Sequence, residues 1–148
     1  MKWVASLLAA LGAAIGLAGC SSGSSDSSSP LAVSSSTVAE NFTGTIAVNG
    51  TDFHTFTVGG SGGTVSVTLT AAGPPATIYM GVGIGTPAAA TATAAASCAL
   101  LTNGSVATPP GTAPQLSGTV GPGNYCVTVF DVGNETAQVT YAVTVQHP

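Results

Sequence analysis

Charged residues are scarce in this sequence, and basic residues are the scarcest. The 148 residues include one Lys or Arg and five Asp or Glu, so charged residues make up 4% of the chain, against roughly 25% in ordinary soluble domains. The single basic residue is Lys2. Nucleic-acid binding needs cations that displace counterions from phosphates, and attraction to anionic lipid needs clustered Lys and Arg. The composition therefore excludes both functions.

Apolar runs long enough to cross a bilayer are also missing. After the positive start Met1-Lys2-Trp3, residues 4–19 are apolar apart from Ser6. This run has about sixteen residues, fewer than the ~20 that span a bilayer, and no basic stop-transfer segment follows it. The pattern predicts a cleaved export signal over residues 1–19 rather than a permanent transmembrane anchor.

The end of this signal carries the strongest motif in the chain. Leu17-Ala18-Gly19-Cys20 resembles the bacterial lipobox, in which lipid is attached to the cysteine thiol and the signal is cut before it. The resemblance implies a palmitate-bearing lipoprotein that begins at Cys20. Ser21 resembles the pattern of lipoproteins sorted to the outer membrane. Small residues before Cys20 also satisfy an ordinary signal-peptidase site, so plain secretion is the alternative.

The cysteine count agrees with the lipobox. The three cysteines are Cys20, Cys98 and Cys126, an odd number, and an exported protein that pairs its cysteines leaves one over. If Cys20 carries lipid, Cys98 and Cys126 remain as the disulfide pair that an oxidising compartment favours. The alternative is two buried free thiols.

Two segments follow the signal. Residues 20–38 are rich in serine and have almost nothing to bury, so they are predicted to be a flexible tether. From residue 39 to residue 148 the apolar residues alternate with polar ones, with Gly, Pro and Asn turns between the runs. Such alternation is typical of half-buried strands. It predicts an all-β domain, a small antiparallel β-sandwich of about 7–9 strands. The predicted strands cover residues 42–48, 53–58, 64–70, 78–84, 98–101, 115–120, 125–129 and 139–145.

The folded part resembles a known family. Residues 52–58 read DFHTFTV, residues 63–69 read GTVSVTL and residues 123–129 read GNYCVTV. In this order they resemble the bacterial pre-peptidase C-terminal domain, a small sandwich usually appended to secreted enzymes. The resemblance implies a binding module for carbohydrate or Ca²⁺. His54 stands where the family often has an aromatic residue, and residues 76–80 lack the aspartates of its middle strand.

The residues do not support catalysis. Asp52 and His54 lie two apart on a predicted strand, so they share a face, and with a serine brought near by folding they could form a hydrolytic triad. Residues 19–23 (GCSSG) and 59–63 (GGSGG) match the letters Gly-x-Ser-x-Gly, but the first lies at the predicted cleavage site and the second in a glycine-rich turn. Neither leads from a strand into a helix as a nucleophile elbow does, so neither supports that interpretation. We therefore predict no catalytic residues. A secreted hydrolase remains the third hypothesis.

Ligand sites are indicated only by isolated residues. Asp52, Asp131 and Glu135 could hold Ca²⁺ with loop carbonyls, or could be solvated turn residues; no other metal or cofactor is predicted. Tyr79 points opposite Ile78 and Met80, which makes it the candidate aromatic for stacking on a sugar. Tyr125 and Tyr141 fall with core valines. Thr-x-Thr pairs could form an ice-binding or adhesive face, or simply a solvated one. His147 is predicted to be frayed.

The leading hypothesis is a non-catalytic β-sandwich module, lipid-anchored at the bacterial cell envelope, that interacts with a protein or a polysaccharide. The alternative is a carbohydrate- or Ca²⁺-binding domain of the pre-peptidase C-terminal type. The membrane is a partner through the lipid, and nucleic acid is not.

Overall fold

Eight strands account for most of the part of the chain that the structure describes, which in this computed structural model is residues 36–148. Each strand has the alternating pattern that the sequence shows, because side chains along a strand point in turn to its two faces. In chain order the strands are β1 (Val38–Ile46), β2 (Thr51–Val58), β3 (Gly63–Gly73), β4 (Met80–Ala88), β5 (Ser97–Thr108), β6 (Leu116–Val120), β7 (Gly123–Asp131) and β8 (Val139–His147).

The strands form two antiparallel sheets that pack face to face. The first sheet has the order β1-β8-β3-β6 and the second has the order β2-β7-β4-β5. The predicted all-β antiparallel sandwich is thus confirmed. Within residues 36–148 no helix is long and apolar enough to cross a membrane. The predicted signal, the lipobox-like motif with Cys20 and the predicted tether up to residue 35 lie outside the described residues.

The core fills the space between the sheets. The alternating residues that the sequence marks as apolar point inward, and most are at most 4% exposed because both sheets cover them. Tyr141 belongs to this core at 3% exposure, as predicted, and Tyr125 packs against it half-buried. The other core members include Ile46, Phe56, Val58, Val65, Val67, Leu69, Ile78, Met80, Val82, Ile84, Val127, Val129, Val139, Val143 and Val145.

Strand β5 is much longer than predicted. The sequence indicates a strand over residues 98–101, whereas β5 continues to Thr108. Asn103 takes a left-handed φ of 57°, and the pairing of β4 with β5 shifts register between Gly83 and Gly85. A bulge of this kind lets an Asn-Gly pair interrupt the alternation without ending the strand.

A disulfide joins Cys98 and Cys126, with their Cα atoms 5.9 Å apart. It links β5 to β7, which are not neighbours, because β4 lies between them. The bridge passes over β4 at Gly85, where a Cβ atom would lie 2.9 Å from Cys98 Sγ. The same Cβ would collide with the Ala99 backbone, so glycine at this position makes room for the neighbouring strand as well as for the cross-link.

Candidate functional site

Asp52, His54 and Tyr141 form a hydrogen-bonded group where the two sheets face each other near β1. Asp52 and His54 lie on β2 of the second sheet, and Tyr141 lies on β8 of the first. The Tyr141 hydroxyl donates to Asp52 Oδ2 at 2.8 Å and lies 2.8 Å from His54 Nε2. The tyrosine proton is committed to the carboxylate, so His54 donates its Nε2–H to the tyrosine oxygen.

The surroundings keep this group fixed and keep Tyr141 protonated. The Phe42 ring stacks on His54 with centroids 4.7 Å apart and planes 8° from parallel. Burial raises the pKa of Tyr141 well above its ordinary value, and the hydrogen bond to Asp52 and the negative charge of Asp52 raise it further. A Cβ atom at Gly44 would collide with the Tyr141 hydroxyl and with Asp52. The group is therefore enclosed by backbone on one side and by an aromatic ring on another.

This arrangement does not build a hydrolytic triad. Tyr141 lies between His54 and Asp52, whose nearest nitrogen and oxygen are 3.9 Å apart. In a triad the carboxylate orients the histidine directly, and the histidine accepts a proton from the nucleophile. In the part of the chain that the structure describes, Tyr141 is the side chain that hydrogen-bonds His54, and no serine does so. The three side chains instead form hydrogen bonds that connect the two sheets.

His147 is not frayed, contrary to the prediction. It is 3% exposed, and its Nε2 lies 2.9 Å from Glu40 Oε1. The pairing of β1 with β8 extends to Val38 and His147, so the end of β8 is held by its neighbouring strand. The ring also lies 5.2 Å from that of Phe56. Both histidines therefore serve the junction of β1, β2 and β8.

The three predicted calcium ligands do not come together. Asp52 is engaged by Tyr141, whereas Asp131 and Glu135 lie together at the end of β7. In residues 36–148 no group of three or more His, Cys, Asp or Glu side chains is placed to share a metal ion. Because Ca²⁺ takes six to eight oxygen ligands, the described residues do not fit the calcium site that the family resemblance suggests.

Asp131 holds the turn that follows β7. Its Oδ1 accepts N–H bonds from Gly133 and Asn134 at 2.7 and 3.1 Å, and its Oδ2 accepts from the Asn49 N–H at 2.8 Å. The Asn49 bond is the largest cause of the lowered pKa of Asp131; burial opposes it, and the N–H groups of the turn lower the pKa further. Asp131 is therefore a turn-forming acceptor that also connects two loops.

Glu135 has no such partners. It is 6% exposed, and among the described residues neither carboxylate oxygen has a hydrogen-bond partner. Burial raises the pKa of Glu135, and the nearby charge of Asp131 raises it further. The fold thus stabilises the neutral acid at this position.

The outer faces of the sheets carry hydroxyl and apolar groups without charge. On the first sheet the register pairs Thr45 with Thr140 and places Thr144 between Asn41 and Thr68. On the second sheet the outward residues include Phe53, Phe130 and Leu100. Tyr79 is 52% exposed between the buried residues Ile78 and Met80, as the sequence predicts. Alternation alone finds these outward residues but does not show which of them lie side by side.

The chain matches no protein-family model, and no curated protein matches it in sequence. Among solved structures it is similar to the crystal structure of PliG from Aeromonas hydrophila, a periplasmic lysozyme inhibitor of g-type lysozyme. The two share 18% sequence identity over 74% of this chain and 86% of that chain, with a TM-score of 0.45.

Proposed function

We propose that this chain is a non-catalytic module of the bacterial envelope that is anchored through lipid on Cys20 and binds a neutral glycan. The observation that carries the proposal is that the outer faces of both sheets in the described domain consist of hydroxyl and apolar groups, with one carboxylate at their edge. The four acidic residues of residues 36–148 are Glu40, Asp52, Asp131 and Glu135, and of these only Asp131, at the end of β7, borders an outer face. A surface of hydroxyls and apolar groups matches a ligand with many hydroxyls and no charge.

The absence of catalysis is supported by the roles of the two histidines. His54 donates to Tyr141, and His147 pairs with Glu40. Both side chains are used to join strands, so neither is available as a general base beside a nucleophile. The chemistry of the domain is therefore recognition.

The envelope location is supported by two independent features. The disulfide between Cys98 and Cys126 is typical of proteins that fold outside the reducing cytoplasm. The Leu17-Ala18-Gly19-Cys20 motif, after an apolar run with a positive start, resembles a lipoprotein signal. A serine-rich segment between Cys20 and β1 gives the domain reach from the membrane surface.

A depletion assay with insoluble polysaccharides tests the binding proposal. The mature chain, released from the membrane in detergent, is incubated with cellulose, chitin, xylan, mannan and peptidoglycan, and the protein left in solution is measured. We expect at least one neutral polysaccharide to deplete it, with no release of reducing sugar. A His54→Ala variant serves as the catalytic control. Sugar release that disappears in this variant would show a hydrolase, and failure of every neutral polysaccharide to retain the protein would contradict glycan binding.

A further inference from the structure

Three glycines on β4 shape the outer face of the second sheet. Gly81, Gly83 and Gly85 occupy successive outward positions, and each lies under a larger group from another strand. The Phe130 ring covers Gly81 and the Leu100 side chain covers Gly83, so closely that a Cβ atom at either glycine would collide with them. The Ala99 backbone and the Cys98 sulfur cover Gly85. Because β4 contributes no side chains here, Phe130 and Leu100 lie low against the sheet.

A groove opens between this apolar strip and the turn that joins β1 to β2. Its volume is about 370 Å³, and its lining includes Phe130, Leu100, Thr51, Thr128 and Asp131. This size lies at the lower end of the roughly 300–1,000 Å³ range of small-molecule sites. Leu100 is 46% exposed, and Phe130 is half-buried. The groove therefore combines accessible apolar surface with oxygen atoms.

The hydrogen bonds among the lining residues determine which donors and acceptors remain free to bind a ligand. The Thr128 hydroxyl donates to the carbonyl oxygen of Asp52 at 2.9 Å. The Thr51 hydroxyl must then use its own proton on Thr128 Oγ1, 3.1 Å away, or on the Val129 carbonyl. Either choice leaves only lone pairs on the Thr51 oxygen. Asp131 also accepts, because its oxygens face N–H groups and carry no proton.

Three classes of ligand can be compared with this lining. An anion finds no Lys or Arg in residues 36–148 and meets the negative charge of Asp131. A purely apolar ligand would cover the Thr51 oxygen without giving it a donor and would remove water from the charged Asp131 carboxylate, and both effects cost free energy. A sugar ring has an apolar face for Phe130 and hydroxyl edges that donate to both oxygens. The lining fits the third class.

A larger depression, on the first sheet, fits less well. It has a volume of about 710 Å³ and is lined mainly by small residues, including Ala71, Ala142 and Thr140. Its one aromatic residue, Tyr141, is 3% exposed and so offers no ring face. Without a stacking surface, a sugar gains little beyond exchanging hydrogen bonds with water.

We propose that the groove formed by Phe130, Leu100, Thr51 and Asp131 binds one residue of a neutral glycan, with the sugar ring against Phe130 and its hydroxyls on Thr51 and Asp131. This inference rests on the proposed function and names the site at which glycan is bound.

Calorimetric titration of the mature full-length chain tests the site. The probes are neutral pentasaccharides of β-linked glucose, mannose, xylose and N-acetylglucosamine. Phe130→Leu keeps an apolar cover over Gly81 but removes the aromatic face, and Thr51→Val removes the acceptor at nearly constant volume. We expect each change to weaken binding of the preferred probe by about tenfold, the factor that corresponds to 1.4 kcal/mol. Thermal melting of each variant checks that the domain is folded.

Two matched controls locate the effect. Tyr79→Ala removes an exposed aromatic residue outside the groove, and Thr43→Val removes a hydroxyl from the first sheet. Both variants should bind the probe as the unchanged chain does. If the unchanged chain binds a pentasaccharide while Phe130→Leu and Thr51→Val leave affinity intact, the groove assignment is wrong and glycan binding stands. If no neutral glycan, soluble or insoluble, binds the unchanged chain, the proposed function fails with it.

Discussion

The hydroxyl of Tyr141 donates a 2.8 Å hydrogen bond to the carboxylate of Asp52 across the interior of the sandwich. Tyr141 belongs to the first sheet and Asp52 to the second, so this bond joins the two layers of the sandwich. It also decides the chemistry of His54, whose Nε2–H is directed at the same hydroxyl. Asp52 and His54, which the sequence suggests as a possible catalytic pair, therefore serve to connect the two sheets through Tyr141.

Replacing Tyr141 with Phe should destabilise the domain. The change keeps the ring in the core but removes the acceptor of the His54 N–H and the donor to Asp52, and both groups are only partly exposed. We expect a loss of about 1–3 kcal/mol in the free energy of unfolding, because partners of a removed buried hydrogen-bonding group are left unsatisfied. Urea unfolding followed by fluorescence measures it.

Tyr125→Phe is the matched control for that measurement. Its hydroxyl donates to the Gly121 carbonyl at 3.2 Å in an exposed position, so water replaces the lost bond. We expect a change of about 0.5 kcal/mol or less. Equal losses in the two variants would show that the bond between Tyr141 and Asp52 contributes nothing special.

Reduction of the disulfide should lower stability without changing the fold. The bridge closes a loop between residues 28 positions apart, for which the chain-entropy estimate gives about 3.5 kcal/mol. The Cys98→Ala/Cys126→Ala double variant avoids free thiols and should show a loss of similar size. Circular dichroism should retain the strand signal at low temperature. A double variant as stable as the oxidised chain would contradict the expected role of the bridge.

Gly85→Ala tests whether the cross-link requires a glycine beneath it. The new Cβ would lie 2.9 Å from Cys98 Sγ and would also press on the Ala99 backbone. Overpacking of this kind costs about 1–3 kcal/mol. Gly118→Ala on β6 is the control, because a Cβ there meets nothing within 4 Å. If both variants melt at the same temperature, the bridge has more room over β4 than the structure shows.

The pH dependence of stability should reveal Glu135. The fold raises the pKa of Glu135 above its ordinary value of 4.5, so the folded state retains a proton that the unfolded state has released. Stability therefore falls as pH rises from 4.5 to the raised pKa and stays lower above it. Asp131 acts in the opposite sense at lower pH: its pKa is lowered, so its contribution is lost as pH falls below its ordinary value of 3.8.

The variant Glu135→Gln separates the effect of Glu135 on the pH dependence of stability from that of Asp131. The amide cannot ionise, so the decline in stability above pH 4.5 should be smaller in this variant, while the loss at lower pH that Asp131 causes should remain. At pH 7 the variant should be more stable by up to about 1 kcal/mol, because it buries no charge. Chemical unfolding at a series of pH values measures both regions. Parallel curves for the two proteins would mean that Glu135 is solvated in the fold.

The strands of this domain can be predicted from sequence because each buries a single face. Alternation of the kind seen at Val65, Val67 and Leu69 marks the inward positions, and glycine- and proline-rich turns mark the breaks. It cannot reveal the irregularity in β5, where the four residues 101–104 lie opposite the single residue Ile84 of β4 and interrupt the alternation. For this reason the predicted strand ends at residue 101, whereas β5 continues past Asn103 to Thr108.

The candidate site could be predicted only in part, because it depends on which strands become neighbours. The sequence places Asp52 and His54 on one face, but the approach of Tyr141 follows from the packing of β8 opposite β2. The same holds for the groove: Phe130 and Leu100 come together because three glycines of β4 lie between their strands. The prediction that His147 is frayed is wrong for a related reason: its position near the end of the sequence suggests fraying, whereas its pairing with Val38 holds it in the sheet.

The lipid anchor is the prediction that decides where the domain works. The apolar run before Cys20 and the lipobox-like motif predict a mature chain that begins at Cys20 with lipid on its thiol. The intact mass of protein taken from the membrane fraction of a bacterial host should therefore equal residues 20–148 plus lipid. It should increase by two hydrogens on reduction, because Cys98 and Cys126 are bridged. Cys20→Ala is the control and should leave the membrane fraction. An unlipidated wild-type chain in the soluble fraction would show plain secretion, and the glycan would then be sought outside the cell rather than at its surface.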